Sequence, residues 1–478
     1  MSRLRALMLF GSCTLLTSTA CDLFNPGIPA PNDAAIKTAI LRWNMLAVDA
    51  SGLDHTPVQP GESRTFGHQL GPTRSSRAMA VVHIAMFDAM NAVAGGYKSY
   101  TDQPPATAAT SAEAAIAQAA HDTLINLYPS HAATFAAALI TDLGAIPEGT
   151  AKINGILLGQ TCAAAILDLR DGDGSTNPQT YAESDEPGHW RADPINPTQT
   201  ALGPKWGEVK PFALNSASQF RAPAPPAIDS AEYAEAYNEV KGLGGDGVTT
   251  PTTRTEDQKQ IGIYWAYDGT PSLCAPPRLY NQIAVQIGND RNVGGVEFGR
   301  LLALVNVSMA DAGIAIWESK FYWDYWRPIT GVRESDPGTG PTGAGDGNAA
   351  TVGDPTWIPL CAPASNLTAL NFTPPFPAYP SGHAGFGGAL FETLRNYFGT
   401  DDIAFTFTSD EYNGVTKDNE GNVRPLLPRS FTSLSQAEEE NGQSRIYLGI
   451  HWSFDKVEGI AQGREVADHV FTHAFQPE

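Results

Sequence analysis

The chain is short of cysteine and of basic charge, and it shows no sustained alternation of apolar and polar side chains. Five cysteines in 478 residues cannot build a disulfide scaffold, and none has the paired spacing of a metal-ligand set. Thirty Lys and Arg face 51 Asp and Glu, a net charge of −21. Nucleic acid and anionic lipid both need a basic face, so neither is expected as a partner. After the first twenty residues no stretch reaches the roughly twenty apolar residues of a bilayer span. The missing alternation removes sandwiches and barrels and leaves an all-α body. With 42% hydrophobic residues, that body has material for a sizeable core.

The N-terminus has the pattern of an export signal: Arg3 and Arg5, then a short apolar stretch over 6–16. Ser18-Thr19-Ala20-Cys21 resembles a bacterial lipobox, although Leu is missing three positions before the cysteine. Residues 1–20 are therefore expected to be a signal peptide. Cys21 is a candidate lipid site, and 21–33, with Pro26, Pro29 and Pro31, a tether. This predicts an exported bacterial protein, periplasmic, secreted or lipid-anchored, that meets a membrane only through that lipid. Cys274 and Cys361 lie in Pro-rich loops and are the expected disulfide; Cys162 lies in an apolar helical run and is expected to be a buried thiol.

Apolar spacing predicts helices over 34–50, 77–94, 112–127, 132–143, 151–168, 231–242 and 254–266. Residues 171–226 have no period and read as a long irregular excursion. One long helix is predicted over 296–326, then a Gly/Pro/Thr-rich loop over 334–375 of the kind that carries function. Further helices are expected over 381–398 and 453–475, with a small hairpin near Asn419–Asn422 and a capping box of Ser435 and Glu438. The helices divide into an N-terminal bundle over 34–250 and a C-terminal bundle over 251–478.

Three short segments of the second half carry chemistry. Lys320 and Arg327 are seven residues apart, nearly two helical turns, so they share a face of a helix that Pro328 should end. Asp324, four residues after Lys320, leaves open a plain surface ion pair. In Tyr379-Pro380-Ser381-Gly382-His383, Ser381 is a natural N-cap, Gly382 allows close backbone approach, and the helix start is an anion site with His383 at its mouth. Arg445 offers a fork to an oxyanion. His451 follows six residues later, and Asp455 could fix its tautomer, or the two could be a core His and its partner. Three cations are thus gathered in an acidic chain.

Read jointly, the segments spell Lys, six residues, Arg-Pro; Pro-Ser-Gly-His; and Ser-Arg, five residues, His, three residues, Asp. This resembles the active-site pattern shared by vanadium-dependent haloperoxidases and PAP2-type acid and lipid phosphatases. Segments 77–93, 206–214 and 264–284 also look like bacterial relatives of the fungal vanadium chloroperoxidases. The resemblance implies two four-helix bundles in one body. It implies vanadate as cofactor, with His451 as its one covalent protein ligand and Lys320, Arg327, Ser381, Gly382 and Arg445 around its oxygens. His383 would be the acid–base group, and Lys320 would polarise the oxygen that the halide attacks. Trp317 and Phe376 match aromatics that line the halide side. Hydrogen peroxide and a halide, bromide and also chloride, would be substrates, with a small organic acceptor as a further candidate; the oligomeric state is left open.

In the phosphatase alternative there is no cofactor. Phosphate is the substrate group, His451 the nucleophile and His383 the acid for the leaving group. The long gap between His383 and Ser444, the chain length and the lack of membrane helices favour the haloperoxidases. A third reading, a non-catalytic exported oxyanion binder, has no use for His383.

Overall fold

Helix starts follow local capping rules closely. In the computed structural model, which describes residues 32–106 and 109–478, the Asn32 side chain accepts the Ala35 N–H and opens α1 (Asp33–Asp54). The signal-peptide and lipobox readings, Cys21 and nearly all of the tether lie outside the described residues. Next come α2 (Gly71–Ala94), α3 (Ala112–Leu127), α4 (Ala132–Ala145) and α5 (Thr150–Leu169). The expected excursion holds only a single 3-10 turn, Trp206–Glu208. After it run α6 (Ala231–Leu243), α7 (Glu256–Tyr264), α8 (Pro276–Asp290), α9 (Gly295–Trp323), α10 (Pro328–Glu334) and α11 (Gly382–Phe398). Strands β1 (Phe405–Phe407) and β2 (Arg429–Phe431) pair antiparallel. They flank a turn in which Asp418 N–H donates to the Asn422 carbonyl, where the hairpin is expected. α12 (Leu434–Tyr447) and α13 (Ser453–His473) complete the all-α body.

α9 is the axis. It packs on α1 and α2 on one side and on α8, α11 and α13 on the other, while α3 lies between α2 and α5. By length and hydropathy α2 and α9 could each cross a bilayer, contrary to the sequence expectation, but most of each apolar window is buried in the protein. They are core helices that must be apolar all round. Asp311 interrupts α9 for a structural reason: its buried carboxylate accepts the N–H groups of Phe212, Ala213 and Leu214 at 2.6–3.0 Å. The irregular excursion is thereby fastened to the axis, and its free backbone donors are satisfied.

α11 and α13 meet along glycines. A Cβ on Gly463 would stand 2.1 Å from the Gly385 carbonyl oxygen, and one on Gly459 2.7 Å from that of Ser381. Neither obstacle is a side chain that could swing away. Gly463→Ala is expected to lower stability by about 1–3 kcal/mol, the usual cost of overpacking, although Ala is the better helix former. Urea unfolding measures this, and an unchanged midpoint would show that the helices can separate freely.

Several expectations are corrected. α9 ends at Trp323, and Asp324 takes the left-handed conformation, φ 53°, so Lys320 and Arg327 do not share a helix. Pro328 starts α10 rather than ending a helix. Its ring holds Arg327 extended (φ −82°, ψ 156°) as the N-cap residue. The Asp324 carboxylate bonds Tyr181 and His189, not the Lys320 ammonium. The two prolines that make 276–277 look like a loop begin α8 in the same way. α12 is capped by Ser433, which accepts the Gln436 N–H, whereas Ser435 binds Asp401 and Glu438 binds Arg395 and Arg464. Finally, Cys274 and Cys361 are free and buried, as is Cys162. The Cys274 thiol lies 2.7 Å from the Ser51 hydroxyl, and that of Cys361 lies 3.8 Å from Thr373 Oγ1, so each has its own partner.

Candidate oxyanion site

The C-terminal end of α9, the N-terminal ends of α11 and α13 and the last turn of α12 converge on one cavity. Each helix start contributes N–H groups without intrahelical acceptors and a partial positive charge. Ser381 caps α11, and its own N–H donates to the Asp455 carbonyl at 2.9 Å, which ties the start of α11 to the first turn of α13. A side chain on Gly382 would fill the space over Trp317 and Lys320, its Cβ being 3.4 Å from the indole.

Lys320 is fully buried, and its Nζ donates to the carbonyls of Pro377 and Ala378 at 2.8 and 2.9 Å. It stands 5.2 Å from the centre of the Phe376 ring. Burial, then the neighbouring Arg327, press its ammonium well below the usual lysine range. Arg327 donates Nε to the Phe376 carbonyl at 2.9 Å and Nη1 to that of Ile450 at 2.8 Å. Burial lowers it to about 9. Arg445 uses only Nη2, which meets both oxygens of Asp268 at 2.7 and 3.0 Å.

The two histidines are held in complementary ways. His451 Nδ1 is 2.7 Å from Asp455 Oδ2, which also accepts the Trp452 N–H at 3.0 Å. The carboxylate fixes the proton on Nδ1, so the lone pair is at Nε2, 3.0 Å from Arg327 Nη1. His383 donates Nε2–H to the Ala266 carbonyl, with Asp268 Oδ1 3.8 Å away. Its Nδ1 is therefore the basic nitrogen. Both rings are pushed well below the ordinary histidine range, first by burial and then by Arg445 at His383 and Arg327 at His451. Each is neutral and offers one lone pair. Burial raises the Asp455 carboxyl to about 7, against the pull of the Trp452 N–H.

What this arrangement lacks is acceptors. Arg327 Nη2 and both Nε and Nη1 of Arg445 are buried without a hydrogen-bond partner. A buried donor left unpaired costs about 1–3 kcal/mol, more when charged. Three such donors beside one cavity are matched by a group that is all acceptor, and a tetrahedral oxyanion is that group. Trp317, Phe376, Gly382, His383, Asp268, Arg445 and His451 line the same cavity of about 280 Å³. The Trp317 and Phe376 rings lie 4.8 Å apart in its wall, and Trp317 is fixed by a bond from its indole N–H to the Leu202 carbonyl at 3.0 Å.

Comparison with known proteins agrees with this geometry. Residues 300–477 match the family profile described as VCPO second helical-bundle domain. The chain is 32% identical over 499 residues to vanadium chloroperoxidase of Curvularia inaequalis, spanning 87% of this chain and 78% of that protein. The chain belongs to the vanadium-dependent haloperoxidase family. A bacterial vanadium-dependent iodoperoxidase structure shares the fold with a TM-score of 0.69, at 24% identity over 91% of this chain and 96% of that one. A holo-type bacterial vanadium-dependent chloroperoxidase does so with a TM-score of 0.64, at 18% identity over 87% and 95%.

Of the candidate residues named from the sequence of this haloperoxidase-family chain, Trp317, Phe376, Gly382, His383, Arg445 and His451 line the cavity, while Lys320 lies beside Phe376, Arg327 and Asp455 each lie beside His451, and Ser381 caps α11 next to Gly382. Sequence reasoning missed Asp268, the carboxylate that holds Arg445 and stands beside His383. Its burial raises the carboxyl, and Arg445 holds that rise back. Asp268 lies within 264–284, a stretch that shares the family's look but has no spacing that singles out one acid among 51 acidic residues.

Proposed function

We propose that the chain is a vanadate-dependent haloperoxidase that oxidises bromide, and also chloride, with hydrogen peroxide. The observation that carries this reading is the pairing of three unpartnered guanidinium donors with a neutral His451 whose Nε2 lone pair lies 3.0 Å from the Arg327 guanidinium. His451 Nε2 would be the ligand to vanadium. Arg327, Arg445, Lys320, the Ser381 hydroxyl and the Gly382 N–H would hold the oxygens. When bound, vanadate supplies a Lewis-acidic centre that activates hydrogen peroxide without changing oxidation state.

The chain's own groups do the rest. His383 Nδ1 takes a proton from hydrogen peroxide, and its Nε2–H, fixed on the Ala266 carbonyl, keeps the ring from turning. Lys320 presents positive charge where negative charge develops, anchored by two carbonyls so that it need not reorganise. The anion's negative charge raises Lys320 back toward its charged form and makes His383 the stronger base. Trp317 and Phe376 form a dry wall for the halide. Phe376→His would set a polar ring beside Lys320 and admit water. Chloride, the harder halide to desolvate, should then lose about tenfold in kcat/KM relative to bromide; equal losses for both halides would remove Phe376 from halide selection.

Reconstitution tests the proposal. Protein purified without phosphate is assayed for bromination of a dye with bromide and hydrogen peroxide, before and after orthovanadate, beside hydrolysis of a chromogenic phosphate ester. Bromination that requires vanadate is the expected result. Ester hydrolysis that vanadate inhibits, with no bromination, would make His451 a phosphorylated nucleophile instead. Export and lipidation at Cys21 rest on the sequence of the first 21 residues, and mass spectrometry of the membrane fraction tests them.

A further inference from the structure

A second cavity, of about 380 Å³, shares no lining residue with the oxyanion cavity. α2 supplies one wall. Arg74, Arg77 and Val81 recur at intervals of three and four residues, so they stand on one face of that helix. The C-terminal end of α5 and the loop after it supply another wall, with Arg170 and Asp173. Buried Asp173 is shared by two of the three arginines. Its Oδ2 lies 2.7 Å from Arg77 Nε and 2.9 Å from Arg170 Nε, and its Oδ1 accepts the Ser175 N–H at 3.0 Å. The other nitrogens of Arg170 donate to the carbonyls of Pro211 and Lys210.

Arg74 is left over. Its half-buried guanidinium lies 5.9 Å from the centre of the Trp206 ring and has no hydrogen bond or ion pair with any described residue. Burial, then the like charge of Arg77, push it below the usual arginine range. Three guanidiniums thus meet one buried carboxylate, in a chain where acidic residues outnumber basic ones. Asp168 and Asp171 also line this cavity, but both are exposed and neither pairs with any of the three arginines. The interior is cationic and the rim acidic.

We propose that this cavity binds a small polyhydroxy carboxylate, a sugar acid by class. The free fork of Arg74 fits a planar carboxylate through two parallel hydrogen bonds. One negative charge suits the wall better than two, because Asp173 and the rim acids repel a dianion. The volume exceeds what a carboxylate alone fills, and the exposed rim is polar. There the Asn126 amide and the Thr176 hydroxyl can donate and accept, and the Asp168 and Asp171 carboxylates accept hydroxyl protons. Neither vanadate nor halide oxidation enters this inference, which goes beyond the haloperoxidase reading.

The test is calorimetry with D-glucuronate on the full chain, in excess inorganic phosphate so that the oxyanion site is already filled. Saturable binding is expected. Acetate, which lacks the hydroxyls, and glucose, which lacks the charge, should each bind at least roughly tenfold more weakly. Arg74→Leu should weaken glucuronate roughly tenfold or more, as expected for hydrogen bonds to a charged group. Arg74→Lys keeps the charge without the fork and should restore only part of the loss. Arg74 has no polar partner to lose, so both variants should melt as the wild type does. Absence of saturable binding, displacement of glucuronate by phosphate, acetate bound as tightly as glucuronate, or wild-type affinity in a folded Arg74→Leu or Arg74→Lys variant would each overturn the site.

Discussion

His451→Ala is expected to abolish vanadate retention, with loss of all vanadate-dependent bromination. The reason lies in what the other contacts can do. Arg327, Arg445 and Lys320 recognise charge and oxygen lone pairs, which phosphate offers equally; in the proposed reading it is the Nε2 lone pair of His451 that bonds to the metal. Asp455 makes that nitrogen the free one by holding the proton on Nδ1 at 2.7 Å. Alanine removes the ligand and leaves Asp455 with only the Trp452 N–H. Equilibrium dialysis should show vanadate held no more tightly than phosphate, and the rise in melting temperature that vanadate gives the wild type should disappear. Tight vanadate binding by the folded variant would place the metal ligand elsewhere.

Lys320→Ala should separate binding from turnover. Arg327 and Arg445 remain, so vanadate stays measurably bound, while bromination falls roughly a hundred- to a thousand-fold, as when one preorganised donor is removed from a reacting oxygen. The carbonyls of Pro377 and Ala378 lose their donor in this variant, and that segment carries the wall residue Phe376. The melting temperature must therefore be read beside the rate. Wild-type turnover in a folded, vanadate-loaded variant would rule out the role assigned to Lys320.

Helix positions were legible because apolar spacing and caps are local. The predicted 112–127 and 231–242 coincide with α3 and α6 to within a residue. Legibility failed where proline has two meanings. At Pro328 and Pro276 the sequence suggests a stop or a loop, and the chain uses the same ring to begin a helix. It failed also at the cysteines, since whether two loops meet is a tertiary matter. The site was readable as three segments because each keeps its spacing within one stretch of chain. Asp268 acts across a long sequence separation, on Arg445, and has no local pattern to read.

The glycines between α11 and α13 act as a fixed ruler. His383 stands in the first turn of one helix, and His451 and Asp455 border the first turn of the other. Backbone rests on backbone between them, at Gly385 with Gly463 and at Ser381 with Gly459. Backbone contact rather than side-chain length sets the separation of the two imidazoles, so a larger residue in the seam costs stability rather than retuning the distance by small steps. Variation that alters which halide is used should therefore accumulate around Trp317 and Phe376, and an engineer seeking new selectivity would randomise those aromatics and leave the seam alone.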